Sequence, residues 1–145
     1  MKVFVTGVTG QLGYDGMVEL VKCGYQVIGS GRRPCEDIEI LNQPGLGTIR
    51  VPYIQQDITD QKAVRETIER ISPDVIIHCA AWTDVDAAED EENKSKVDAV
   101  NHLGTKYIAE AAKAVNAKMV YISTDYVFDG QGKRPWKPDD KCRDD

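Results

Sequence analysis

The stretch Val3-Phe4-Val5-Thr6-Gly7-Val8-Thr9-Gly10-Gln11-Leu12-Gly13 decides the fold. Lys2 to Val5 is short, apolar and β-branched, the pattern of a buried parallel strand. Gly7, Gly10 and Gly13 follow at intervals of three. In a strand–turn–helix context the first glycine permits a tight turn. The second lets the backbone approach a pyrophosphate, and the third lets the helix pack against the strand. The N–H groups and positive end of the helix then face the phosphates. Glycines also mark ordinary turns, so the context carries the reading: the motif follows a strand and opens a helix, which points to dinucleotide binding.

Outward from this stretch, the helix is expected from about Gln11 to Cys23. Gly13, Met17, Leu20 and Val21 share one face, and Gly24 ends it. Gly16 is out of place in a helix interior. Tyr25 to Gly29 reads as the second strand. Ser30-Gly31-Arg32-Arg33 follows where an NAD-preferring site carries an acid. Two guanidinium groups and a hydroxyl suit a 2′-phosphate, so NADP(H) is the expected cofactor, with NAD(H) the alternative and a plain basic loop the blander reading. Pro34 to Gly47 is rich in breakers, with a short helical turn allowed at Asp37 to Leu41. Thr48 to Gln55 is a third strand, placed by Pro52 at a sheet edge.

Asp57 stands just past that strand, either as a turn residue or as an acceptor for an adenine amino group. Asp60 caps a helix whose buried stripe is Val64, Ile68 and Ile71. Asp74 to Cys79 is a continuous apolar run, as a central parallel strand requires, and Pro73 precedes it. His78 reads as a packed strand-end histidine, since no carboxylate partner is implied. The acids from Asp84 to Glu92 read as a solvated loop entering a helix rather than a metal cluster. One long helix is expected from about Asn93 to Val115, with Asn101 near its sheet-facing side, where propensity disfavours it and a specific hydrogen bond is called for. Lys118 to Ile122 is the fifth strand, and Ser123 to Phe128 leaves its carboxyl end towards the crevice. The expected fold is α/β, a doubly wound Rossmann-type parallel sheet in the order 3-2-1-4-5. Residues 1–130 would form the nucleotide-binding domain and 131–145 a polar tail.

The totals agree. A chain of 145 residues with 41% hydrophobic residues suffices for one globular core. A net charge of −6 argues against nucleic acid or an anionic membrane as partner. No apolar run approaches the ~18 residues of a membrane helix, and no signal peptide is visible, so a cytoplasmic protein is expected. Cys23, Cys35, Cys79 and Cys142 show no metal-binding or disulfide spacing.

Four motifs carry a resemblance. They are Thr6 to Gly13, His78 to Asp86, Val100-Asn101 with Gly104-Thr105, and Ser123 to Gly130. The chain resembles the N-terminal half of the extended short-chain dehydrogenase/reductase family, and within it the dTDP-4-dehydrorhamnose reductase branch. The resemblance implies hydride transfer from a nicotinamide to the C4 ketone of a dTDP-linked deoxysugar. It implies that Gly7, Gly10, Gln11, Leu12 and Gly13 hold the pyrophosphate and that Asp57 and Ile58 meet the adenine. Cys79, Ala80, Ala81 and Thr83 would border the riboses and nicotinamide. Thr124 matches the hydroxyl that polarises the carbonyl, and Asn101 the asparagine that organises the site. The family's proton donor is a tyrosine followed four residues later by a lysine. Here the residues four beyond Tyr14, Tyr25, Tyr53, Tyr107, Tyr121 and Tyr126 are Val18, Gly29, Asp57, Ala111, Asp125 and Gly130. The resemblance also implies a sixth strand and a substrate domain that these residues do not include. A half-enzyme inactive on its own, with an exposed face prone to self-association, is therefore expected. The alternative is a non-catalytic NADP-binding module, resembling the regulatory subunit of methionine adenosyltransferase and acting through a partner enzyme.

Overall fold

The computed structural model describes residues 1–40 and 47–142. Five strands form one parallel sheet: β1 (Lys2–Thr6), β2 (Gln26–Gly31), β5 (Tyr53–Gln55), β6 (Val75–His78) and β7 (Lys118–Tyr121), in the order β5-β2-β1-β6-β7. This is the 3-2-1-4-5 order of a doubly wound sheet. The strand order reverses at β1, so the crevice for a ligand opens above its carboxyl end.

Strand alternation sorts the core into two layers. Phe4 and Ile76 point to the face covered by α2 (Gln61–Ile71) and α5 (Thr105–Ala114), where they meet Ile58, Val64, Ile68 and Ile108. Val3, Val5 and Val27 point to the other face and meet Val8 and Met17, the latter on α1 (Gln11–Lys22). Asp60 caps α2 through the Ala63 N–H at 2.9 Å, and Ser72 closes it in a left-handed conformation. The exposed apolar side chains Val120, Tyr121 and Ile122 lie on and just past the edge strand β7.

Three expectations need correction. The third strand is broken at Pro52. Its first half, β4 (Ile49–Val51), pairs antiparallel with β3 (Ile38–Ile40) in a separate two-stranded sheet, and only Tyr53–Gln55 joins the main sheet edge. The helical turn placed at Asp37 to Leu41 is therefore a strand over Ile38–Ile40, with Ile40 and Val51 buried beneath it; Leu41 lies outside the described residues, as do Pro44 and Gly45. The long helix is not uniform: α3 (Val85–Glu89) and α4 (Glu91–Val97) lead into a π-helical segment at Asp98–Gly104 before α5 begins. Among the described residues the four cysteines are free, no His/Cys/Asp/Glu group fits a metal ion, and no helix is long and apolar enough to cross a membrane.

Beyond β7 the chain turns at Asp125–Val127 and then folds back on itself. The Phe128 and Trp136 rings stack in parallel with centroids 4.8 Å apart. Arg134 grips Asp140 with two 2.7 Å hydrogen bonds, which hold that carboxyl down at about 2.

Candidate functional site

The glycine turn sits at the carboxyl end of β1. Gly7 has φ +74°, and a Cβ there would lie 2.7 Å from the Ala80 nitrogen. Glycine is thus demanded twice, by the conformation and by the passing β6 exit. A Cβ on Gly13 would lie 2.3 Å from the Gly7 carbonyl oxygen. Its absence lets α1 start directly on the turn. The Ser30 carbonyl accepts the Gly7 and Val8 N–H groups at 2.8 and 3.1 Å, and the Gly7 carbonyl accepts the Gly10 N–H at 3.0 Å. Gly10 is the N-cap of α1, no side chain caps the helix, and Gly10, Gln11 and Leu12 are exposed. The first N–H groups of a helix have no acceptor within it, so this end presents N–H donors of the kind an anion can accept.

The second strand corrects one site residue. β2 continues through Gly31, so Ser30 alternates inward: it is 1% exposed and its hydroxyl faces the Val5 carbonyl at 3.5 Å. It braces the glycine turn and offers no hydroxyl to a 2′-phosphate. Arg32 and Arg33 are exposed, and neither forms an ion pair among the described residues. Their carbonyls accept hydrogen bonds from Gln55 Nε2 and the Tyr53 hydroxyl, which ties their backbone to the β5 edge.

Asp57 Oδ1 accepts the Thr59 N–H at 2.9 Å and the Thr59 hydroxyl at 2.8 Å, so the turn role is realised. The Ile58 side chain is buried in the core against Gly104, where a Cβ would meet it at 2.8 Å. What Ile58 can offer a ligand is its backbone.

The β6 exit is held from two sides. Asn101 Oδ1 accepts the Trp82 N–H at 2.8 Å, and its Nδ2 donates to the Trp82 carbonyl at 3.1 Å. That is the specific bond expected of this asparagine, reaching 19 residues along the chain from the π-helical segment. On the other side, Thr6 Oγ1 accepts the Cys79 and Ala80 N–H groups, each at 3.2 Å. His78, 1% exposed, places Nδ1 2.8 Å from the same oxygen and Nε2 3.2 Å from Thr105 Oγ1. Its ring stacks on Tyr121 at 6.0 Å. Burial pushes the imidazole down to about 4 and the Cys79 thiol up. Thr6, Thr105 and Trp82 were not foreseen. The sequence shows only a threonine at one strand end and a histidine at another; their pairing across 72 residues is visible in the fold alone. Ala81 and Thr83 are exposed, while Cys79 and Ala80 are half-buried. Thr124 lies in the exposed segment after β7, its hydroxyl oxygen accepting the Tyr126 N–H at 3.2 Å.

The glycine turn, the Cys79–Thr83 segment and the Thr124 segment thus leave the carboxyl ends of neighbouring strands β1, β6 and β7. Comparison with known proteins gives this arrangement a family. A family profile described as RmlD substrate binding domain matches residues 1–143. The chain belongs to the RmlD family. It is 34% identical over 139 residues to the spore coat polysaccharide biosynthesis protein SpsK of Bacillus subtilis, covering 96% of this chain and 41% of that protein. It is 40% identical over 110 residues to a dTDP-4-dehydrorhamnose reductase of Streptomyces griseus, covering 76% of this chain and 36% of the relative. The crystal structure of a dTDP-4-dehydrorhamnose reductase from Clostridium acetobutylicum superposes with a TM-score of 0.79 at 34% identity, over 99% of this chain and 43% of that one. A Bacillus anthracis dTDP-4-dehydrorhamnose reductase in complex with NADP superposes with a TM-score of 0.71 at 34% identity, over 90% and 39%. This RmlD-family chain spans about two fifths of the length of the relatives it matches.

Proposed function

We propose that this chain is the NADP(H)-binding part of a reductase that acts on the 4-keto group of a dTDP-linked deoxysugar. The observation that carries the reading is the glycine turn. Its close contacts exclude a Cβ at Gly7 and Gly13, and it leads into a helix whose start no side chain caps. A cradle of this kind fits a pyrophosphate and serves no evident packing purpose at Gly10. Gly7, Gly10, Gln11, Leu12 and Gly13 would hold the pyrophosphate. Arg32 and Arg33 would meet a 2′-phosphate, Asp57 and the Ile58 backbone the adenine, and Cys79, Ala80, Ala81 and Thr83 the riboses and nicotinamide. When bound, the nicotinamide supplies a hydride. Thr124 would polarise the ketone by donating its hydroxyl hydrogen, and Asn101 would hold the Trp82 backbone that walls the site.

The 145 residues contain no tyrosine followed four residues later by lysine. A missing general acid typically costs 10²- to 10⁴-fold in rate. The proposal is tested by NADPH oxidation with the purified chain and dTDP-4-dehydrorhamnose. The expected result is nucleotide binding with turnover at or near background. Turnover at a rate ordinary for a reductase, on the order of 1–10³ per second, would refute the assignment of a binding part that lacks its proton donor. Failure to hold NADPH would refute the cofactor assignment.

A further inference from the structure

The buried His78 takes no part in nucleotide binding as proposed, yet from the end of β6 its ring touches β1, α5 and β7 through Thr6, Thr105 and Tyr121. We infer that His78 is a positioning residue: as a neutral ring it accepts a hydrogen bond from the Thr6 hydroxyl at Nδ1, and so leaves the lone pairs of that oxygen free to hold the β6 exit against the glycine turn. The inference rests on the nucleotide-binding reading and adds a residue to it.

The hydrogen-bond count supports the assignment. Thr6 Oγ1 accepts two backbone N–H groups, from Cys79 and Ala80. A hydroxyl has two lone pairs and one proton. With both lone pairs engaged, only the proton remains for the contact with His78 Nδ1. Nδ1 is therefore the acceptor, and the ring hydrogen sits on Nε2, where it donates to Thr105 Oγ1. Either other protonation state places a second hydrogen between Nδ1 and Thr6. The hydroxyl would then have to turn its proton away and give up one of its two N–H partners.

The consequence reaches the cradle through Gly7. Its Cα passes so close to the β6 exit that a Cβ would overlap Ala80 N, Ala80 Cα and the Cys79 carbonyl carbon, all within 2.9 Å. The positions of Cys79 and Ala80 thus set the position of the first turn glycine. Both are set in turn by one threonine oxygen, whose orientation His78 controls. The ring itself is fixed on its remaining sides by Thr105 and by the stacked Tyr121.

The test uses the full 145-residue chain in four forms: wild type, His78→Asn, His78→Leu and Thr6→Val. Asparagine places its carbonyl oxygen near the Nδ1 position and keeps the acceptor; leucine removes it. NADPH affinity is expected to fall about tenfold in His78→Leu and in Thr6→Val, the scale of one lost hydrogen bond. It should stay within about threefold of wild type in His78→Asn, and the Leu/Val double variant should lose no more than either single one. Amide exchange at Cys79 and Ala80 should accelerate in His78→Leu and not in His78→Asn. Nitrogen NMR of the wild-type ring should show the Nε2–H form at neutral pH.

Unchanged affinity and unchanged amide protection in His78→Leu would overturn the inference. So would additive losses in the double variant, or a ring protonated at Nδ1. Should wild type bind no NADPH, the cofactor reading fails, while the amide exchange and the ring tautomer still decide whether His78 positions the β6 exit. Should His78→Leu not fold, the tautomer and the His78→Asn affinity decide it.

Discussion

Gly13 and Gly16 lie one turn apart in α1, and the structure predicts opposite outcomes for the same substitution. An interior helical glycine ordinarily costs about 0.5–1 kcal/mol against alanine, because it loses more backbone freedom on folding. At Gly16 nothing lies within 4 Å of the added methyl group. Gly16→Ala should therefore stabilise the chain by about 1 kcal/mol, raising Tm by roughly 3 °C for a domain of this size. At Gly13 the added Cβ would meet the Gly7 carbonyl oxygen at 2.3 Å, its carbon at 2.7 Å and the Val8 nitrogen at 3.0 Å. All three are backbone atoms, so no side chain can swing aside. Restoring ordinary contact needs a shift of about 1 Å, which also strains the 3.0 Å bond from Gly10 N–H to the Gly7 oxygen. Overpacking of this kind costs typically 1–3 kcal/mol, and an unyielding backbone places it at about 3. Urea denaturation of the two variants beside wild type measures the difference, about 4 kcal/mol in all. NADPH affinity should fall with Gly13→Ala and stay unchanged with Gly16→Ala. Equal stability of the two variants would refute the claim that Gly13 is required by the turn.

His78 is buried neutral, at about 4 against an ordinary 6.5. The unfolded chain binds the extra proton first as pH falls, so this contribution is complete above about 6.5 and declines towards pH 4, by about 3 kcal/mol in total. The ring meets the hydroxyls of Thr6 and Thr105 and the stacked ring of Tyr121. Denaturation of His78→Asn across the same pH range should show a flatter slope, and an unchanged slope would count against the neutral ring. Replacing Arg32 and Arg33 by alanine should weaken NADPH about 10- to 100-fold and leave NADH nearly unaffected, as titration of both nucleotides would show. Asp60→Ala removes the bond to the Ala63 N–H and should lower stability by about 1 kcal/mol in the same urea assay.

Much of the sheet was legible because the decisive residues are local. Val3 to Val5 and Asp74 to Cys79 are apolar runs bounded by turn residues, and the glycine spacing marks which strand is central. Elements that depend on distant partners were not. Ile38–Ile40 is three residues, too short for a period, and Ile49–Val51, expected within the strand from Thr48 to Gln55, leaves the main sheet to pair with it. Ser30 was misdirected by two residues of strand length. Once β2 runs to Gly31, alternation turns that hydroxyl inward. Asn101 stood out because it is a poor helix former, but its partner Trp82 lies 19 residues back, and no spacing rule announces a π-helical segment. The His78–Thr6 pairing spans 72 residues, so His78 alone read as a packed strand-end histidine.

Calorimetric titration of NADPH into the 145-residue chain, with Gly13→Ala beside it, tests the central claim most directly. Saturable one-to-one binding by wild type, weakened at least tenfold in Gly13→Ala, is the predicted result. A folded wild-type chain that takes up neither NADPH nor NADH would contradict the account.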